Sequence, residues 1–188
     1  MPEPARRRMT SDEFIAWAME QPETGHYELV AGEVVAMAPE RSAHALTKAQ
    51  IWRRMAEAVE ALGLACQVYP DGMAVEVDEH TVYEPDALVR CGAPLPADAI
   101  KLNDPVIIVE VLSPSTRTRD AGAKLEDYFR MPSLRHYLIV KTENRTIIHH
   151  ARDMAGVILT RIVREGPILL EPPGITLTDC FPPGGDDG

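Results

Sequence analysis

From Ser42 the stretch "SAHALTKAQIWRRMAEAVEAL" places Ile51, Met55, Val59 and Leu62 three or four residues apart. That period predicts a long amphipathic helix, with Gly63 suited to its end. Upstream, Thr10 and Glu13 of "TSDEFIAWAME" have capping-box spacing and open a short helix. "HYELVAGEVVAMAP" then alternates around Ala31-Gly32, the pattern of a β-hairpin. Downstream come two strand-like runs, "LACQVYPDGMAVEVD" and "TVYEPDALVR", parted by polar residues around Asp78–His80. "CGAPLPADAIKLNDP" is rich in Pro and Ala without a period and reads as a loop.

"VIIVEVL" is a nearly unbroken β-branched run, as expected of a central strand covered on both faces. The loop "SPSTRTRD" leads into a helix, "RDAGAKLEDYFRM", stopped near Pro132. "LRHYLIV", "RTIIHHA" and "GVILTRIV" read as further strands, the first two joined by the turn "TENR". The tail "EPPGITLTDCFPPGGDDG" is Pro/Gly-rich and its last residues are expected to be disordered. The order of elements predicts an α/β layered domain: a mixed β-sheet flanked by helices, with an N-terminal helix and β-hairpin. No repeat or linker divides the chain, so residues 1–188 are expected to form one domain, with about eight flexible residues at each end.

Composition changes this picture little: 45% of residues are hydrophobic and 26% charged, ordinary for a globular protein. No apolar run approaches the ~20 residues of a membrane helix, and the basic N-terminus lacks the apolar segment of a secretory signal. A cytoplasmic location is therefore expected. Cys66, Cys91 and Cys180 have long, irregular spacings that imply neither a disulfide framework nor a zinc motif. They are expected to be unpaired small residues of the core or surface. The net charge of −10 argues against general attraction to DNA or anionic membrane, although residues 117–135 carry a local net charge of +2.

The chemistry lies where carboxylates interrupt apolar strands. Asp86 sits in "VYEPDALV" and Glu110 in "PVIIVEVL", and ionised acids are seldom buried unless paired or bound to a metal. On neighbouring strands the two could meet, and a hard cation such as Mg²⁺ would relieve their repulsion. The carbonyl of Val111 could add another oxygen. Lys124 follows on the next helix, four residues after Asp120 and four before Tyr128, so the three share a face. Its ammonium could act on a metal-activated water or on phosphate charge.

Each residue also has a structural reading. Asp86 could be a strand-edge residue, Glu110 a buried acid paired with Lys124 or Arg119, and Lys124 a solvated helix residue. His44 shares a stripe with Lys48, Ile51 and Met55, and fits a phosphate-orienting role or a helix cap or core role equally well. Glu28 and Glu33 flank the hairpin turn as possible extra carboxylates or as a solvated edge. Ser113, Ser115 and Thr116 could bind phosphate oxygens or satisfy the loop backbone and cap the next helix. His149 and His150 point to opposite strand faces and are poor joint ligands.

On "YELVAGEVV", the His of "SAHALTKAQI", "EPDALV" and "VEVLSPSTRTRDAGAKLEDY", the chain resembles the PD-(D/E)XK nuclease superfamily. Within it the resemblance is to the restriction-endonuclease family called Uma-two. The resemblance runs roughly from "MTSDEF" to "HYLIV". It implies a restriction-endonuclease-like fold and metal-dependent hydrolysis of phosphodiester bonds, with DNA as substrate and Mg²⁺ or Mn²⁺ as cofactor. Asp86 and Glu110 match the motif's acids, and His44 the family's histidine. The usual lysine position, two beyond Glu110, holds Leu112, and Lys124 matches the lysine shifted to the adjacent helix. Folds of this type often act as homodimers with two sites for two strands. Two other readings stay open: a non-catalytic nucleic-acid-binding or interaction module, which the charge and the shifted lysine favour, and a hydrolase of small nucleotides.

Overall fold

The computed structural model describes residues 7–22, 25–112 and 118–183, and the side chains of its third helix from residue 122 onward. Ser113, Ser115, Thr116 and Arg117, the side chains of Arg119 and Asp120, and parts of both termini lie outside the described residues.

Helix α1 (Ser11–Met19) opens on the expected capping box: Glu13 N–H donates to Thr10 Oγ1 at 3.3 Å and Thr10 N–H to the Glu13 carboxylate at 2.9 Å. Strands β1 (Tyr27–Val30) and β2 (Glu33–Ala36) form the hairpin. Its turn residues Ala31 and Gly32 have φ of 50° and 85°, the left-handed pair that a two-residue type I′ turn requires. Helix α2 (Ser42–Ala61) buries Ile51, Met55 and Val59, whereas Leu62, at its C-cap, is exposed. The apolar stripe thus ends one turn earlier than its period predicts.

The expected single sheet is two large sheets, with a separate two-stranded hairpin. Strands β3 (Cys66–Pro70), β6 (Ala87–Cys91), β8 (Ile107–Leu112), β9 (His136–Lys141), β10 (Thr146–Arg152) and β11 (Ile158–Val163) form one, in the order β11-β10-β9-β8-β6-β3. It is mixed, since β8 and β9 run parallel while its other pairs are antiparallel. The N-terminal hairpin instead joins β5 (Thr81–Tyr83), β4 (Ala74–Asp78) and β7 (Lys101–Leu102) in a five-stranded sheet, order β2-β1-β5-β4-β7. The run "TVYEPDALVR" is divided at Glu84-Pro85-Asp86, where the chain crosses from one sheet to the other. Pro85 has no N–H to continue a ladder, which is the physical reason for the break.

Three further expectations are corrected. The loop over 91–105 contains β7, and the Pro-rich tail contributes a hairpin, β12 (Ile168–Leu170) with β13 (Ile175–Leu177). That hairpin and α2 cover one face of the six-stranded sheet, with Ile168, Leu170, Ile175 and Leu177 in the same core as Val109, Val111 and Leu138. Helix α3 (Thr118–Tyr128) and the five-stranded sheet lie over the other face, around Tyr83, Leu88, Ile108, Tyr128 and Tyr137. The central run behaves as predicted: Ile107, Ile108, Val109 and Val111 are buried. Cys66 and Cys91, facing across β3 and β6, form a disulfide, which overturns the expectation of unpaired cysteines; Cys180 alone is free. Irregular spacing says nothing about strand register, and register brings these two together. Among the described residues no helix is long and apolar enough to cross a membrane.

Candidate functional site

Strand register brings the two acids together. Ala87 pairs with Val109 and Leu88 with Ile108, so one further position sets Asp86 opposite Glu110. Both are buried, at 7% and 8% exposure. Val111 N–H donates to Asp86 Oδ2 at 2.6 Å, fixing that carboxylate against the next residue of β8. Glu110 Oε1 accepts from Tyr128 Oη at 2.7 Å and from Lys124 Nζ at 3.0 Å. Lys124 and Tyr128 thus meet the same acid from successive turns of α3, as their four-residue spacing predicts. Lys124 Nζ also donates to Glu28 Oε1 at 2.7 Å, and lies 4.9 Å from the centre of the Tyr83 ring.

Glu28, on β1, is therefore the extra carboxylate of the hairpin; Glu33, on exposed β2, is not brought in. His44 approaches from α2, with Nε2 2.5 Å from the Val111 carbonyl and 3.7 Å from Asp86 Oδ2. The carbonyl expected to serve a cation already faces this imidazole, although a carbonyl oxygen has a second lone pair. His149 and His150 lie elsewhere and on opposite faces, the first beside His136 and the second beside Thr160.

The site holds more acid than base at its buried centre. Glu28 and Glu110 share the Lys124 ammonium, and Asp86 has the buried Lys48 ammonium 3.7 Å away, so three acids face two lysines. Burial, then the charge of Glu110, push Asp86 up to about 8. Burial also raises Glu28, with Lys124 pulling against it. For Lys124 burial favours the neutral form, but Glu110 and Glu28 more than reverse that and hold its pKa above the ordinary value. Burial keeps Tyr128 a neutral phenol, able to donate to Glu110.

Stability should follow. A carboxyl whose folded pKa lies above its unfolded one binds more protons when folded, so stability falls as pH rises through that interval. For Asp86 this runs from about 4 to about 8. In chelating buffer the melting temperature should fall between pH 5 and pH 8, and Asp86→Asn should flatten that slope. Equal slopes in the two proteins would show that Asp86 ionises freely in the folded chain.

Sequence reasoning missed Lys48, Glu40 and Asp71. Lys48 Nζ donates to Asp71 Oδ2 at 2.5 Å and to Glu40, and lies 3.7 Å from Asp86 Oδ1. The available signal was a charged residue on the buried stripe of α2, the same kind of interruption that singled out Asp86 and Glu110. Among the described residues, Glu40, His44 and Asp86 bring three possible ligand atoms within 4.8 Å of one another.

Residues 11–182 match the family described as "Uma2: Putative restriction endonuclease". Over 148 residues the chain is 25% identical to an uncharacterized protein of Synechocystis sp., a match covering 78% of this chain and 76% of that protein. A crystal structure of a "putative nuclease belonging to DUF820" from Anabaena variabilis superposes with a TM-score of 0.69 at 15% identity, over 86% of this chain and 87% of that one. At that identity the likeness shows a shared fold, here the nuclease-like α+β arrangement just described. The family match spans nearly the whole chain and both sheets, and on that ground the chain belongs to the Uma2 family.

Proposed function

We propose that this chain is a divalent-cation-dependent nuclease that hydrolyses phosphodiester bonds in DNA, built as one nuclease-like domain. The observation that carries the reading is a buried acid cluster at the adjoining ends of β6 and β8, in which Glu28 and Glu110 share the Lys124 ammonium and Asp86 lies opposite Glu110. A site with that charge balance fits a hard cation with oxygen ligands. Asp86 and Glu110 would hold it, with the Val111 carbonyl as a further oxygen. Bound there, Mg²⁺ or Mn²⁺ would supply Lewis-acid chemistry, lowering the pKa of a water and offsetting charge on the phosphoryl group.

The chain's own residues do the positioning. Val111 N–H fixes Asp86, and Tyr128 with Lys124 fixes Glu110, so both carboxylates are oriented before substrate arrives. Lys124 then places its ammonium beside the phosphoryl oxygens, where charge develops in the transition state. His44, already within reach of Asp86, would orient phosphate or water from the α2 side. The proposal includes a homodimer, for which the exposed Ile158, Leu159 and Ile162 of edge strand β11 offer an apolar surface.

A second reading, a non-catalytic nucleic-acid-binding or interaction module, is favoured by the ion pair between Lys124 and Glu110 and by the net charge of −10. Supercoiled plasmid incubated with Mn²⁺ separates the two. The wild type should nick it, and Glu110→Gln, purified identically, should be slower by at least about a hundredfold. Equal nicking by both would remove Glu110 from the chemistry. No nicking of DNA by either would favour the binding module.

A further inference from the structure

Lys48 has no part in the function proposed above, yet it is the most expensively placed cation on α2. It is only 9% exposed, one turn beyond His44, on a stripe that continues into Ile51 and Met55. Burying an ammonium carries a desolvation penalty that is offset only by well-placed carboxylate partners and hydrogen bonds. Here three converge: Asp71 Oδ2 at 2.5 Å, Glu40 Oε1 in hydrogen-bond contact, and Asp86 Oδ1 at 3.7 Å.

Two of these carboxylates also flank His44. Its Nε2 lies 3.7 Å from Asp86 Oδ2, and its Nδ1 lies 3.7 Å from Glu40 Oε2. That Nδ1 is buried and, among the described residues, has no hydrogen-bond partner. Carboxylate oxygens with an imidazole nitrogen, within 4.8 Å of one another, form a donor set suited to a divalent transition metal. Glu40 and Asp71, with side chains 40% and 38% exposed, leave this pocket open to ions from solvent. The cation that occupies it is the chain's own.

The division of Asp86 is what gives this a consequence. Its Oδ2 is fixed by Val111 N–H, and its Oδ1 faces Lys48. Glu110, by contrast, is served from α3 by Lys124 and Tyr128. Asp86 thus borders two cation positions, one toward Glu110 and one toward Glu40 and Asp71. Burial works against the charge on Lys48, and its hydrogen bonds to Asp71 and Glu40 more than restore it.

We infer that the Lys48 ammonium is a built-in cation that fills a second divalent-metal position beside Asp86, limiting the site to one exchangeable ion. The inference rests on the reading of Asp86 and Glu110 as the metal site. A fixed charge on α2 neutralises Asp86 from one side at any metal concentration, so only the position toward Glu110 is filled from solution.

Counting Mn²⁺ per chain by electron paramagnetic resonance titration of metal-stripped protein tests this without reference to activity. Wild type and Lys48→Arg should bind one ion. Lys48→Gln should bind two, and should return to one when Glu40→Gln and Asp71→Asn are added. A folded Lys48→Gln chain that still binds one ion overturns the inference and leaves the Asp86–Glu110 reading standing. A wild type that binds none overturns that reading and the inference with it, and a wild type that binds two overturns the inference alone. Glu40→Gln with Asp71→Asn in the Lys48 background keeps the test independent of whether Lys48→Gln folds. That variant should still bind one ion; a fall to none would place the ion among Glu40, His44 and Asp86, where Lys48 is inferred to be.

Discussion

Replacing Lys124 with Met should reduce Mn²⁺-supported nicking by at least about a hundredfold. It should also destabilise the metal-free chain by about 3–5 kcal/mol near pH 7. Both effects come from one ammonium with two partners, Glu28 Oε1 at 2.7 Å and Glu110 Oε1 at 3.0 Å. Its side chain is 13% exposed, so solvent screens these contacts weakly. Without it, two buried carboxylates face each other with only the Tyr128 hydroxyl and the Glu84 N–H as donors. Protonation is then the remaining relief, so the loss of stability should shrink toward pH 5. Urea denaturation at pH 5 and pH 8, beside the nicking assay, reads both effects. Full nicking by Lys124→Met would remove the lysine from the chemistry, and unchanged stability at pH 8 would mean that the two glutamates are not held together in solution.

Cutting the chain after Gly166 should leave no cooperatively folded protein. The deletion removes Ile168, Leu170, Ile175 and Leu177, each 4% exposed or less, from the core they share with α2 and the six-stranded sheet. Burial of each such side chain contributes about 1.5–3 kcal/mol. Four of them are therefore comparable with the whole stability of a domain, about 5–15 kcal/mol. Leu170→Ala alone should cost about 2–5 kcal/mol. Leu169, on the same strand but 60% exposed, is the internal control, and Leu169→Ala should change little. The tail is also tied to α2 through Gln50 Nε2, which donates to the Asp179 carbonyl at 2.8 Å. A truncated chain that melts cooperatively near the wild-type temperature would show the hairpin to be an accessory.

Much of this was legible from local pattern. The capping box at Thr10 and Glu13, the Ala31-Gly32 turn, the α2 stripe and the doubly covered strand β8 each depend on neighbours a few residues away. Propensity and periodicity act over that range. Asp86 and Glu110 were legible for a related reason, since a charge inside an apolar run must be compensated somewhere. Lys124 was legible as a helix residue facing the same way as Tyr128, and both prove to meet Glu110.

What the chain's order could not reveal is what its strands pair with. Pro85 breaks "TVYEPDALVR" locally, but that its first half joins a second sheet follows only from the pairing of β5 with β1 and the packing around Leu29 and Val82. The Cys66–Cys91 disulfide follows from the register of β3 against β6, a long-range quantity that cysteine spacing does not encode. The tail hairpin was hidden because Pro and Gly mark its turn, while the alternation that buries Leu170 and Leu177 spans only three residues per strand. Sequence alone determined that two carboxylates needed a partner at strand ends. Tertiary structure decided which partners arrive, Glu28 and Lys124 on one side and His44 and Lys48 on the other. A buried charge states its own need locally, but the groups that meet it come from elements 25 or more residues away as well as from the next helix.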